Sequence, residues 1–472
     1  MASMDRKKTG VKTVNRNGHE AYKYVSDKLD LTVKALTSFV GEDKYYGDNT
    51  GELKDLAEKV AKRDPRFVAN LAVMTRRDYH MRTVSQLLAA ILAHEAKGSG
   101  LVRRTVDAVV ERPDDTAGVI SAYKSMYGKP IAHGVLRGVK DALERMKPYS
   151  IAKYQLKGHD LTLKDVVLMT HPHNQALDST LKALMDGTLK APETWETQLS
   201  ADGNTKETWE KLIGEGKVGY MAALRNLRNL LSAQPANLDT VLDMLADPDR
   251  VKAGKQLPFR YLAAYRSVQY VASSRVMDTL NRAFMASLEN LPTLQGRTAV
   301  LIDNSGSMLQ SLSQRGTVTC YDTAMTLGLA LAQKAEDTVA IRFGFDARIL
   351  PVSHGNPLNQ YVKCDGGWTD MNAAFRLLMD KEIDVDRIIV LSDNEVNDDR
   401  GMVQRLADEY RRQVGHRVVV HGWDLMGYGT TQFAPDGDTD FIAGWSERII
   451  SLLPLFETDR QGLVGRVESY VF

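Results

Sequence analysis

The chain of 472 residues is 43% apolar, 26% charged and 7% aromatic, a balance that excludes a disordered or fibrous protein and supports a large packed core. At about 150 residues per domain its length allows about three domains, or fewer if one is a repeat array. Net charge is +1, yet residues 291–472 hold 17 Lys+Arg against 25 Asp+Glu and residues 1–290 hold 44 against 35. A cationic front and an anionic rear suit different partners, a polyanion for the first and a cation for the second.

The first fifteen residues are basic and polar with no apolar stretch behind them, and no run reaches the roughly 18 apolar residues of a membrane span. A cytoplasmic protein without membrane contact is expected. Cys320 and Cys364 are too few for a disulfide framework and lack zinc-site spacing, so they read as two reduced thiols.

From about residue 30 to residue 290 the pattern is helical: Val84, Leu87, Leu88, Ile91 and Leu92 fall on one helix face, and Gly or Pro punctuates successive stretches, as at Gly98, Pro113, Gly128, Pro148 and Pro172. Antiparallel helix pairs of about 40 residues stacked as a HEAT-type solenoid fit this rhythm, with a plain bundle as the competing architecture. After residue 296 the grammar changes. Residues 298–303, 338–343, 387–391 and 417–420 read as buried strands, separated by helical runs at 321–335, 372–379 and 401–413. Continuous apolar strands joined by helices predict a doubly wound parallel sheet, with ligands at the strands' carboxyl ends. The domains expected are therefore 1–290, helical, and 297–472, α/β.

The first of these strands runs into Asp303-Asn304-Ser305-Gly306-Ser307, where a carboxylate and two hydroxyls recur at every second position as the strand opens into a loop. Oxygen donors so spaced can converge on one hard cation. Thr369, in the loop Gly366-Gly367-Trp368-Thr369-Asp370, and Asp393, at the end of the third strand, supply matching parts. The bland alternative is a strand-end turn whose oxygens only bind backbone N–H groups. The three pieces together resemble the metal-ion-dependent adhesion site of von Willebrand factor A domains. That resemblance implies one divalent cation, magnesium first and manganese or calcium as alternatives, held by Asp303, Ser305, Ser307, Thr369 and Asp393 and open to an acidic oxygen from a partner. Trp368 departs from the commoner form of the glycine loop, leaving open whether Thr369 ligates directly or through water. No P-loop, H-E-x-x-H or G-x-S-x-G motif occurs, so the chain reads as a binding protein and not an enzyme.

The helical part resembles the TROVE module of the Ro autoantigen family through several segments in order. They are Asn17-Gly18-His19-Glu20-Ala21-Tyr22, Asp43-Lys44-Tyr45-Tyr46, and Arg76-Arg77-Asp78-Tyr79-His80-Met81-Arg82, followed by Val84 where the family has proline. The stretch from Gly158 through Lys164 to His171-Pro172 comes next, then Arg225-Asn226-Leu227-Arg228 and Leu257-Pro258-Phe259-Arg260-Tyr261. A chain of this length without evident insertions fits a bacterial or phage member. The likeness implies a ring of HEAT-like helical repeats closed by the α/β domain, a monomer. It would bind Y-like small noncoding RNAs on a basic outer surface and single-stranded 3′ ends of misfolded RNAs in a central hole, in RNA quality control. An exoribonuclease such as polynucleotide phosphorylase would be a partner tethered through RNA.

The candidate RNA contacts are Arg76, Arg77, Arg82, Lys164, His171, His173, Arg225, Arg228, Lys252, Lys255 and Arg260. Arg225 and Arg228 are read three apart on one helix whose core face is Leu224, Leu227 and Leu231, their guanidinium groups placed for phosphate. His171 is read at a helix end before Pro172. For each, a solvated surface side chain is the competing reading. The competing function is a protein–protein adaptor whose solenoid and metal site bind acidic partners.

Overall fold

A computed structural model of the chain describes residues 10–14, 20–24, 26–37, 49–254, 256, 258–311, 318–352, 357–395, 401–426, 430–443, 450, 453–458 and 460–472. Lys255, Leu257 and residues 17–19 and 43–46, all singled out in the sequence, lie outside this set. The chain divides into two compact units, residues 26–192 with 458–472, and residues 193–457 with 1–25. This division does not follow the compositional boundary near residue 290.

The helical unit carries α1 (Asp27–Thr37), α2 (Asn49–Arg63), α3 (Pro65–Arg77), α4 (Arg82–Glu95), α5 (Gly100–Val109), α6 (Pro113–Tyr127), α7 (His133–Glu144), α8 (Pro148–Lys153), α9 (Leu163–Thr170) and α10 (Asp178–Met185). Their starts are written locally. Asp64 accepts from the Phe67 N–H ahead of Pro65, and Thr162 and Asp165 bond reciprocally at the start of α9. Helix α4 is buried from Val84 to Ala93, more completely than its amphipathic stripe foretold, because α2, α3 and α6 pack around it. Helix α3 packs on its chain neighbour α4, while alternate helices stack on each other, α4 on α6 and α5 on α7, as in HEAT-type repeats. A C-terminal helix, Arg460–Glu468, completes this unit. Asn70 Nδ2 donates to Val467 O at 2.8 Å, Lys28 pairs with Glu468 at 2.7 Å, and Leu463 and Val467 are buried.

In the other unit β1 (Gly10–Val14) and β2 (Glu20–Tyr24) form a hairpin, and Tyr22 exchanges backbone hydrogen bonds with Thr431 at 2.9 and 3.2 Å. Helices from Trp195–Asp202 to Ser274–Ser287 lead into a sheet of β3 (Leu294–Asp303), β4 (Ala335–Phe343), β5 (Ala347–Leu350), β6 (Arg387–Ser392), β7 (Val419–Asp424) and β8 (Thr439–Ala443). The order is β5-β4-β3-β6-β7-β8, parallel except for the edge strand β5. The helices Cys320–Lys334, Met371–Asp380 and Met402–Val414 connect these strands within a residue or two of the expected spans. Leu301, Phe343, Phe375, Val390 and Tyr410 belong to the core under one face. On helix Cys320–Lys334, Gly328 allows close packing on β3: a Cβ there would stand 2.5 Å from Ile302 Cδ1. This is the doubly wound, mainly parallel sheet expected from the sequence.

The compositional boundary fails as a unit boundary because the helices Pro258–Val268 and Ser274–Ser287 are tied to the α/β part by polar contacts. Arg266 pairs with the buried Asp322, which also accepts from Tyr361 Oη at 2.6 Å, and Asn281 Oδ1 accepts from the Leu358 N–H at 3.0 Å.

Candidate functional site

The parallel strands β3, β4, β6 and β7 share one direction, so Asp303, Phe343, Ser392 and Asp424 gather at one edge of the sheet. Asp303 is the last residue of β3 and fully buried. Its Oδ1 accepts from the Ser305 N–H at 2.8 Å and its Oδ2 from Ser392 Oγ at 2.6 Å. Ser305 and Ser307 hydroxyls lie 3.1 Å apart, and Ser307 hydrogen-bonds Asp393, which is also buried. The glycine loop arrives where the sequence requires it, because the Gly306 N–H donates to Gly367 O at 3.0 Å. Thr369, on that loop, is buried and its hydroxyl has no hydrogen-bond partner among the described residues.

Asp303, Ser305, Ser307 and Asp393 thus lie in one group of oxygen donors, with the loop that carries Thr369 held against it at Gly306, and its electrostatics are strained. Burial and then the charge of Asp393 push the Asp303 carboxyl above the usual range, against hydrogen bonds from Ser392 and Ser305. Burial likewise pushes Asp393 up. Among the described residues neither carboxylate has a Lys, Arg or His partner, and no cluster of three or more His, Cys, Asp or Glu side chains surrounds them. Two adjacent buried carboxylates without a counter-charge, ringed by neutral hydroxyls, fit a hard divalent cation. Sequence reasoning missed Ser392, whose hydroxyl holds Asp303 in place. It also missed the rim: Trp368 is 69% exposed, Phe345 84% and Leu309 51%. The two thiols are free, Cys320 buried beside Met308 and Cys364 turned toward the Asn304 carbonyl.

The expected RNA contacts separate into two kinds. Arg76 is corrected to a structural residue. It is 5% exposed, donates to Val109 O at 3.1 Å, and pairs with Asp115 and Glu111, both at 3.0 Å. Arg82 pairs with the same buried Asp115 and with Asp114 at 2.7 Å, so its charge is also committed inside the fold. Arg77 beside them is exposed and has no ion pair among the described residues. Lys164 donates to Met185 O at 2.6 Å at the surface. His171 ends α9 in the left-handed conformation (φ 47°) and is exposed, as its place before Pro172 foretold. His173 is exposed, with its N–H on Glu144 and its ring 3.5 Å from Asp178.

Arg225 and Arg228 do not share a helix. The chain breaks at Asn226 (φ −103°, ψ 13°), between helices Tyr220–Arg225 and Leu227–Ala233, and Asn226 Nδ2 turns back to Ala222 O at 2.9 Å. The break moves the buried face to Leu224, Leu227 and Leu230, leaving Leu231 only partly covered. Arg225, Arg228 and Lys252 are exposed, and none has an ion pair among the described residues. Arg260 is exposed with its guanidinium 4.7 Å from the Phe259 ring centre.

Residues 185–303 match the TROVE domain family. The chain is similar to telomerase protein component 1 of Rattus norvegicus, 24% identical over 327 residues, covering 51% of this chain and 12% of that protein. Its Mus musculus counterpart is 44% identical over 82 residues, or 17% of this chain and 3% of that protein. The RNA-binding protein RO60 of Deinococcus radiodurans is 26% identical over 293 residues, covering 52% and 53%. The chain thus spans about half of that bacterial relative and a small part of the telomerase components. The crystal structure of the Deinococcus radiodurans RO (RSR) protein superposes with a TM-score of 0.65 at 18% identity, over 92% of this chain and 99% of that one, which shows a shared fold. The chain thus shares with Ro and telomerase components a TROVE-domain match over residues 185–303 and, with the Ro protein, a fold.

Proposed function

We propose that the chain is an RNA-binding scaffold of the Ro type. It would hold Y-like small noncoding RNAs on basic outer surface, admit single-stranded 3′ ends of misfolded RNAs to a central hole, and serve noncoding-RNA quality control in the cytoplasm without chemistry of its own. An exoribonuclease tethered through the RNA would complete the assembly. One observation carries the reading. Arg225, Arg228 and Lys252, exposed within the segment that matches the TROVE family, are left without ion pairs among the described residues, whereas the buried Arg76 is fully committed. Unneutralised surface cations bind phosphate and release counterions. The relative's name, RNA-binding protein RO60, supports the same ligand class.

At the carboxyl ends of the strands, Asp303, Asp393, Ser305, Ser307 and Thr369 would hold one divalent cation, magnesium in the first instance. When bound, it supplies a positive site for one further anionic oxygen. The exposed Trp368, Phe345 and Leu309 beside it favour a protein partner presenting an acidic side chain there, the adaptor role alongside RNA binding.

The test is RNA affinity against salt, with structured noncoding RNA from the source organism. Between about 50 and about 200 mM salt the affinity should fall steeply, and Arg225→Ala with Arg228→Ala should reduce the log–log slope by about 1 to 2. Salt-independent binding, or no RNA binding at all, would overturn the scaffold reading.

A further inference from the structure

Where α4 and α6 end and α5 and α7 begin, the helical unit encloses a cavity of about 600 Å³ lined by none of the candidate RNA contacts or cation ligands. Its position follows from the repeats: antiparallel pairing brings two helix C-termini and two N-termini to one end. Glycines tighten the seam. A Cβ on Gly134 would stand 2.7 Å from Val102 Cγ1, and one on Gly138 would stand 2.6 Å from Arg103 O, so α5 and α7 start side by side.

One wall is aromatic. The His94 ring stacks on Tyr127 with centroids 3.8 Å apart and planes 4° from parallel, and Tyr123 leans on Tyr127 at 5.4 Å. Tyr127 is fixed by its hydroxyl on Glu58 at 2.6 Å. His94 Nδ1 is buried and has no hydrogen-bond partner among the described residues, which is uncommon for a buried polar atom in a finished site. The charged part of the lining is cationic. Lys97, Arg103, Lys129, His133 and Arg137 line the cavity and no carboxylate does. Arg103 is neutralised by Asp141 from behind, but Lys97, Lys129 and Arg137 have no ion pair among the described residues. The start of α7 adds donors: Ala132 provides no side-chain cap, and the N–H groups of His133 and Gly134, which line the cavity, have no acceptor among the described residues.

A planar aromatic stack and unpaired cations lining one space of small-molecule size match a flat heterocycle carrying a phosphate. We propose that this cavity binds a nucleoside phosphate, with the phosphate at Lys97, Lys129, Arg137 and the start of α7, and the base against the aromatic wall with His94 Nδ1 hydrogen-bonded to its edge. The ligand is either a free mononucleotide or the phosphorylated terminal nucleotide of an RNA, which present the same chemistry. The site is independent of Arg225 and Arg228, so it stands or falls separately from the scaffold reading.

The test is calorimetric titration of the full chain with AMP and UMP, with adenosine and inorganic phosphate as fragments. Saturable mononucleotide binding is expected, with each fragment at least about tenfold weaker. Lys97→Ala with Arg137→Ala, both exposed and so neutral to folding, should weaken AMP about tenfold or more. His94→Phe, which keeps the ring and removes the nitrogen, should weaken AMP and leave phosphate alone unchanged. Arg225→Ala with Arg228→Ala should leave AMP binding as in the parent. A 5′-phosphorylated short RNA that competes with AMP where its 5′-hydroxyl counterpart does not would identify the chain terminus as the source. Competition by neither, with AMP still bound, would identify the free nucleotide. No saturable binding of a mononucleotide or of a phosphorylated RNA end at millimolar concentration, or binding unchanged in Lys97→Ala with Arg137→Ala, overturns the proposal.

Discussion

Replacing Asp115 by alanine should unfold the helical unit more readily than any substitution of an exposed charge. The side chain is 0% exposed and is the third residue of α6. Its Oδ2 accepts from Arg76 at 3.0 Å and from the Glu111 and Arg112 N–H groups at 3.1 and 3.0 Å, and its Oδ1 from Gln86 at 3.0 Å and from Arg82. Alanine leaves the buried Arg76 with only Glu111 as counter-charge and strands three uncharged donors. Breaking one partner of a buried pair costs about 3–5 kcal/mol. The stranded donors, at about 1–3 kcal/mol each, do not add in full, since Arg82 is 37% exposed and water reaches its side of the network. We therefore expect a loss of about 3–5 kcal/mol, read from urea unfolding of the full chain by circular dichroism, with the earliest transition assigned to the helical unit. Arg77→Ala, exposed next door, should change stability by less than about 0.5 kcal/mol. Arg76→Ala should lower stability while leaving the salt slope of RNA binding untouched. The reasoning is wrong if Asp115→Ala costs under about 1 kcal/mol, or if Arg76→Ala keeps full stability and flattens that slope.

Other consequences are as direct. After chelator treatment, magnesium at about 100 times its dissociation constant should add about 2.7 kcal/mol of stability and raise the melting temperature. Asp303→Asn should abolish that rise, and its persistence in the variant would remove Asp303 from the cation site. In the sheet, the buried His421 lies 3.0 Å from Glu457 and 3.4 Å from Asp440, and Glu457 also binds Arg387. Burial opposes the charged ring, but these bonds outweigh it and raise the His421 pKa. Arg387 and His421 overcome burial to bring Glu457 down to about 2. The histidine contribution is whole below the ordinary imidazole value of about 6.5 and lost as pH rises through the raised one. The glutamate contribution is whole above about 4.3 and lost only toward about pH 2. The urea midpoint of the parent should therefore decline above about pH 6.5, a decline missing in His421→Gln; parallel curves would exclude the network as its source. Leu463→Ala, 1% exposed in the parent, should cost about 2–5 kcal/mol and speed amide exchange in α1 and α3, not in the sheet. Faster exchange confined to β3–β8 would contradict the placement of that helix.

The strands that end at Asp303 and just before Asp393 were legible because a buried parallel strand is a continuous apolar run, and these two carboxylates stand where such runs stop. The edge strand β5 and the short β8 lack such runs and went unread. Arg76 and Arg82 were misread for a different reason. Their partner lies 33 to 39 residues away on another helix, and a basic cluster looks the same in sequence whether it faces solvent or a buried carboxylate. The break at Asn226 was hidden because Ala222 to Leu231 has unbroken helical periodicity, whereas the interruption depends on a side-chain bond to the preceding turn. The cavity between α4 and α7 was out of reach because four separate helices build its walls.

The path of the chain between its two compact bodies has a practical corollary. It passes from one to the other near residues 25, 192 and 457, so each body is stitched from non-consecutive stretches. A fragment cut near residue 290 would strand Asp322 and Asn281 from their tethers. One ending near residue 457 would bare the apolar faces of α1 and α3 and leave the Asn70 amide without the carbonyl it grips. Neither half can be prepared by a single scission and still keep its interior sealed. Dissection of this protein should instead proceed by point substitutions in the intact polypeptide, or by rejoining its ends in a new order.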